Sequence, residues 1–158
     1  LSEAVASYAA RATEKLRGEA LEAGSIRVFL TTGRYGKGQS YSNGAGGAFS
    51  RPTHHTPTVI RAAKHLLQQI YRKGPAFKKA GVMLMDLRPA EPAQGHLFEQ
   101  SDPADEQMME VIDKINESMG RGTLRLAAEG LQKGWTMKRE MKSPAYLSDW
   151  TEIPVVRA

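Results

Sequence analysis

Ser25-Ile26-Arg27-Val28-Phe29-Leu30-Thr31-Thr32 is the stretch on which the fold turns. Ile26, Val28 and Leu30 alternate with Arg27, Phe29 and Thr31, and a strand sends alternate side chains to opposite faces. One face is therefore apolar and packs against a helix, while the other carries a cation and a hydroxyl. Upstream, Leu1, Val5, Tyr8, Ala12 and Leu16 recur at spacings of three and four with charged residues between them, which predicts an amphipathic helix ended by Gly18 and then Gly24. Downstream, residues 33–47 are rich in Gly, Ser, Tyr and Asn and read as a flexible hairpin connection into a second strand near Ala48 to Arg51.

Thr56 followed by Pro57 reads as a helix N-cap with proline at the first helical position. Val59, Ile60, Ala63, Leu66, Leu67, Ile70 and Tyr71 supply the buried stripe of this second helix, and Gly74 stops it. Val82 to Leu87 reads as a short buried strand. The order helix, strand, strand, helix, strand predicts an α+β fold, a small antiparallel sheet covered by two helices. A split β-α-β arrangement would add a strand before Leu1, so the chain is expected to be a fragment that starts late.

Residues 88–102 are punctuated by proline and read as an extended linker, and within it Gln94-Gly95-His96-Leu97-Phe98 sets two large apolar residues where no core absorbs them. Such a pair wants a hydrophobic pocket on another molecule, or else folds back onto its own domain. Asp102-Pro103 repeats the cap-and-proline signal, and Met108, Ile112, Ile115 and Met119 form a helical stripe closed by Gly120-Arg121-Gly122. Thr123 to Ala127 reads as a short strand. The expected organisation is a basic domain over 1–87, a linker over 88–102, and a small, mostly helical tail over 103–158 that docks on something because it buries little core alone.

The chain has 158 residues, 41% of them hydrophobic, which suits one ordinary domain with an appendage. With no cysteine it has neither a disulfide framework nor a thiolate metal site, and with no apolar run of membrane-spanning length it is expected to be soluble and cytoplasmic, with no membrane partner. The net charge of +5 conceals an asymmetry: residues 1–87 hold 13 Lys/Arg against 5 Asp/Glu, and residues 88–158 hold 9 against 12. The first part is a candidate polyanion binder. Arg27, Arg34, Lys37 and Arg51 lie in or beside the predicted strands, interleaved with Thr31, Thr32 and Ser50, a mixture suited to phosphate oxygens through charge and hydroxyl donors. Gly44 to Gly47 either let the backbone approach a phosphate or form a mobile loop. Lys73, Lys78 and Lys79 flank a helix end and read as solvated surface.

No catalytic or metal residues are expected. The sequence has no Gly-x-x-x-x-Gly-Lys loop and no His-Glu-x-x-His helix, and the adjacent His54 and His55 point their side chains in different directions. Two-metal phosphoryl chemistry needs clustered carboxylates, which the basic part lacks.

Ser7-Tyr8-Ala9-Ala10-Arg11-Ala12, Glu14-Lys15-Leu16-Arg17, Tyr41 to Asn43, Pro52-Thr53 and Lys79-Ala80-Gly81-Val82-Met83-Leu84 carry a family likeness. In that order they resemble the little-finger domain of UmuC-type Y-family translesion DNA polymerases, the ImpB/MucB/SamB group. Gln94 to Phe98 falls where that group places its sliding-clamp motif. Met109, Asp113, Asn116, Gly120 to Leu124, Trp135, Met137-Lys138-Arg139 and Ser143-Pro144 resemble its tail module. The chain departs from the pattern at Ala48, where a basic residue is expected in the strand facing DNA, and at Ala145 and Leu147-Ser148.

The resemblance implies the C-terminal part of an error-prone, DNA polymerase V-like enzyme of the SOS response. Its little finger would grip primer-template duplex, and Gln94, Leu97 and Phe98 would bind the ring-shaped sliding clamp. RecA and a UmuD-type protein are implied as further partners. Catalysis and its magnesium would belong to the parent polymerase and not to this fragment, which needs no cofactor. The alternative is a stand-alone DNA-binding adaptor or a protein-protein interaction module, and residues preceding Leu1 would separate the two.

Overall fold

The computed structural model describes residues 1–33, 40–90, 103–130 and 143–144. Helix α1 spans Ser2–Gly18, strand β1 Leu21–Thr32, strand β2 Ser42–Thr53, helix α2 Thr56–Ile70 and strand β3 Phe77–Pro89. Helix α3, Pro103–Ser118, and a single 3-10 turn, Ala127–Glu129, follow. The three strands form one antiparallel sheet in the order β2-β1-β3, so the fold is α+β, as the sequence predicts. β1 is central because its Ile26, Val28 and Leu30 are almost wholly buried under the two helices. Each such side chain contributes about 1.5–3 kcal/mol on burial.

α2 packs through large aliphatic residues, Val59, Ile60, Leu66, Leu67 and Ile70, and α1 through small residues more than large ones. α1 buries Val5 and Leu16 as expected, together with Ala6, Ala9 and Thr13, whereas Leu1 and Tyr8 of the expected stripe are 41% and 40% exposed. Alanine at the contact lets α1 and α2 approach closely, so the burial phase follows Ala6, Ala9 and Thr13 and not the bulkiest apolar positions. Thr13 fits this buried position because its hydroxyl lies 3.1 Å from the Ala9 carbonyl oxygen and 2.8 Å from Thr56 Oγ1.

Several boundaries differ from the sequence reading. α1 does end at Gly18, but Gly24 lies inside β1, and the reversal between them is made by Ala20 at φ 51°. The expected hairpin connection is shorter, because Gly44, Gly46 and Gly47 belong to β2 and pair with Phe29, Arg27 and Ile26. α2 is capped by His55 in extended conformation, and the Thr56 hydroxyl bonds side chains of α1 in place of a cap. The same helix stops at Ile70, leaving Tyr71 extended and 52% exposed. β3 is more than twice as long as Val82 to Leu87, and it is an edge strand whose Met83, Met85 and Leu87 are exposed. Residues 123–126 bend irregularly into the 3-10 helix that begins at Ala127, and no strand forms there.

Candidate nucleic-acid interface

The helices cover one face of the sheet and leave the other to solvent. On that open face β1 presents Arg27, Phe29 and Thr31 in a row. Their neighbours in register on β2 are Gly46, Gly44 and Ser42, and on β3 they are Met83, Gly81 and Lys79. Glycines set the relief. A Cβ on Gly44 would sit 3.4 Å from Arg27 Nε, so the guanidinium lies across β2 where no side chain lifts it. A Cβ on Gly81 would sit 2.3 Å from the Phe29 ring, so that ring lies flat over β3. The result is a low surface with one exposed guanidinium near its middle and, at one end, Thr31 between Ser42 and Lys79.

The predicted phosphate-binding residues divide. Arg27 and Thr31 share the open face. Thr32 turns its hydroxyl inward, where it accepts the Tyr41 backbone N–H at 2.8 Å and closes the β1–β2 hairpin. Ser50 and Arg51 lie at the far end of β2, in the irregular stretch where the register jumps between Ala48 and Thr53, and Ser50 is exposed while Arg51 is half-buried. Arg34 and Lys37 fall outside the described residues, as do Gln94, Leu97 and Phe98. Lys79 is the residue that sequence reasoning missed: starting β3 at Val82 left it outside any strand, although Lys79, Gly81 and Met83 already alternate with Ala80, Val82 and Leu84. Ala48 pairs with Ser25 and leaves the face without a cation at that point.

The tail is tied to the helix layer by charge. Arg17 Nε and Nη2 donate to the two carboxylate oxygens of Asp113 at 2.5 and 2.8 Å, and Nη1 donates to the His54 carbonyl and Thr56 Oγ1, both at 2.8 Å. One guanidinium thus joins the end of α1, the start of α2 and the middle of α3. Further along, Arg121 meets Glu14 at 3.2 Å, and Ser7 bonds buried Glu129 at 3.1 Å. Met109 is the α3 residue driven into this seam, at 2% exposure, whereas Met108 and Met119 of the expected stripe are 41% and 71% exposed. His54 and His55 do point apart: the first lies 3.9 Å from Glu22 and the second 3.7 Å from Asp105. Among the described residues no three His, Asp or Glu side chains gather as metal ligands, and no helix is long and apolar enough to cross a membrane.

Two family models match the chain. Residues 1–97 match the impB/mucB/samB family C-terminal domain, and residues 106–156 match a domain of unknown function, DUF4113. The chain belongs to the impB/mucB/samB family. It is 38% identical to Protein ImpB of Salmonella typhimurium over 99% of its own length and 38% of that protein's. It is 39% identical to Protein UmuC of Salmonella typhimurium strain LT2 over 97% of its length, and 39% identical to Protein MucB of Escherichia coli over 98%, in each case 37% of the relative. It therefore spans well under half the length of the relatives it matches.

Proposed function

We propose that this chain is the DNA-gripping and clamp-binding C-terminal region of an error-prone translesion DNA polymerase acting in the SOS response. The observation that carries the reading is the open sheet face. Its exposed guanidinium, its hydroxyls and Lys79 stand on a surface that glycines keep low, in a part of the chain with 13 basic residues against 5 acidic. Such a face contacts phosphates and offers few groups to base edges, so it holds primer-template duplex without regard to sequence. Ser50 and Arg51 extend the contact along β2, and Arg34 and Lys37 are further candidate phosphate partners by residue type. Nucleotide transfer and its magnesium belong to the parent enzyme, and RecA and a UmuD-type protein are its further partners.

Fluorescence anisotropy of labelled duplex against salt tests the DNA arm. Binding is expected to fall steeply with salt, and Arg27→Ala and Lys79→Ala each to lower the log-log slope by about one. Affinity indifferent to salt, or to both substitutions, would remove the reading.

For the clamp arm, Leu97 and Phe98 each contribute about 1.5–3 kcal/mol when buried in a pocket, and Gln94 fixes register by hydrogen bonding. Ordering the peptide offsets part of this, so micromolar binding is expected, near about −8 kcal/mol. A peptide spanning Pro92 to Gln100, titrated against a bacterial sliding clamp, should lose this binding when Leu97 and Phe98 become alanine. Equal binding by the two peptides would withdraw the assignment.

A further inference from the structure

Among the described residues the seam between α1 and α3 is not filled. Asp113 is held by Arg17 and Glu14 by Arg121, and between these two clasps the helices enclose a cleft of about 380 Å³, within the roughly 300–1,000 Å³ of ligand pockets. Its lining is about half apolar, and Met109, Ile112 and Leu126 form that apolar floor. The carboxylates in its lining are already engaged: besides the two clasps, Glu129 accepts from the Ser7 hydroxyl and from the Leu126 N–H. Two cations at its edge are not so engaged. Among the described residues neither Arg11 nor Arg125 has a carboxylate partner, and both side chains are exposed.

We propose that this cleft is a docking site for an acidic peptide segment of a partner protein, one that inserts a single large apolar side chain between α1 and α3. The floor takes the apolar side chain, and Arg11 and Arg125 take the flanking carboxylates as charge-assisted hydrogen bonds. A nucleic-acid backbone suits the cleft less well. Its phosphates have no apolar anchor for the floor and would run past Glu14, Asp113 and Glu129. The cleft lies on the helix side of the sheet, so a peptide held there leaves the open face free.

The test uses the full chain with carbon-13 methyl labels on methionine and isoleucine. The probe is a capped hexapeptide of five glutamates with a single leucine at its third position. Its titration is expected to shift the Met109 and Ile112 methyl signals, and the double variant Arg11→Glu, Arg125→Glu to weaken binding by about tenfold or more. Ile112→Trp, which fills the cleft, should abolish peptide binding with the circular dichroism spectrum and duplex-DNA affinity retained. An unfolded Ile112→Trp chain shifts the decision to the arginine double variant. The proposal is overturned if a lysine hexapeptide shifts the same methyls equally, if duplex DNA shifts them, if they move on dilution of the chain alone as a self-associating copy requires, or if the arginine variant binds unchanged.

Discussion

His54 and His55 are neighbours in sequence and answer to different carboxylates, and the second is set to report on pH. Burial pushes the His55 pKa below the ordinary value near 6.5, the positive charges of Arg17, Arg61 and His54 push the same way, and Asp105 pulls against them. The unfolded chain therefore takes up a proton at His55 before the folded chain does. Stability from this group is fully present above about pH 6.5 and is lost as pH falls below it toward the depressed folded value. The urea midpoint is expected to drop between pH 7.5 and 5.5, and to drop less in His55→Asn, whose amide keeps a partner for the Thr58 hydroxyl now 2.8 Å from His55 Nδ1. An equal drop in both proteins would show that His55 is not the group titrating. Residue-level contacts of this kind are where sequence reasoning was weakest. Arg27 and Thr31 were legible because alternation assigns their face, whereas Thr32 and Thr56 were not, since Thr32 turns its hydroxyl to the Tyr41 backbone across the hairpin and Thr56 to side chains of α1.

At the scale of elements, order and type were legible and phase was not. Ile26, Val28 and Leu30 define the central strand from the sequence alone, because a period of two has only one alternative. Helix α1 offers many phases, and its buried face is chosen by the alanines that fit against α2. That packing choice leaves Arg17 at the junction of three helices with its guanidinium side chain 12% exposed. Arg17→Ala removes the bidentate pair with Asp113 and also the contacts to the His54 carbonyl and Thr56, with an expected cost of about 2–4 kcal/mol after allowing for the exposed side of the pair. Asp113→Ala leaves Arg17 its other acceptors and should cost about 1–2 kcal/mol. Urea denaturation of the two variants distinguishes them. Equal losses would mean that the bond to α3 carries everything and that Arg17 does not fasten α2.

At the scale of the molecule, charge and architecture separate two duties. Residues 1–87 carry the basic excess and present the open sheet face, while α3 holds five acidic residues against one lysine. The tail's bonds run to α1 and to the start of α2, on the helix side of the sheet. Interactions between exposed charges farther apart than about 8 Å are largely screened at physiological salt, so releasing the tail should leave the open face intact. Ile112→Asp places a carboxylate beside Asp113 in the half-buried seam, where desolvation and like charge both oppose it. The α3 segment is then expected to loosen, and limited trypsin digestion should cut faster after Lys114, Arg121 and Arg125. Affinity for duplex DNA should stay within about twofold of the parent chain, since none of the residues proposed to bind phosphate has moved. A loss of DNA binding equal to that of Arg27→Ala would place the tail in the nucleic-acid interface, and the separation of duties argued from the charge distribution would be wrong.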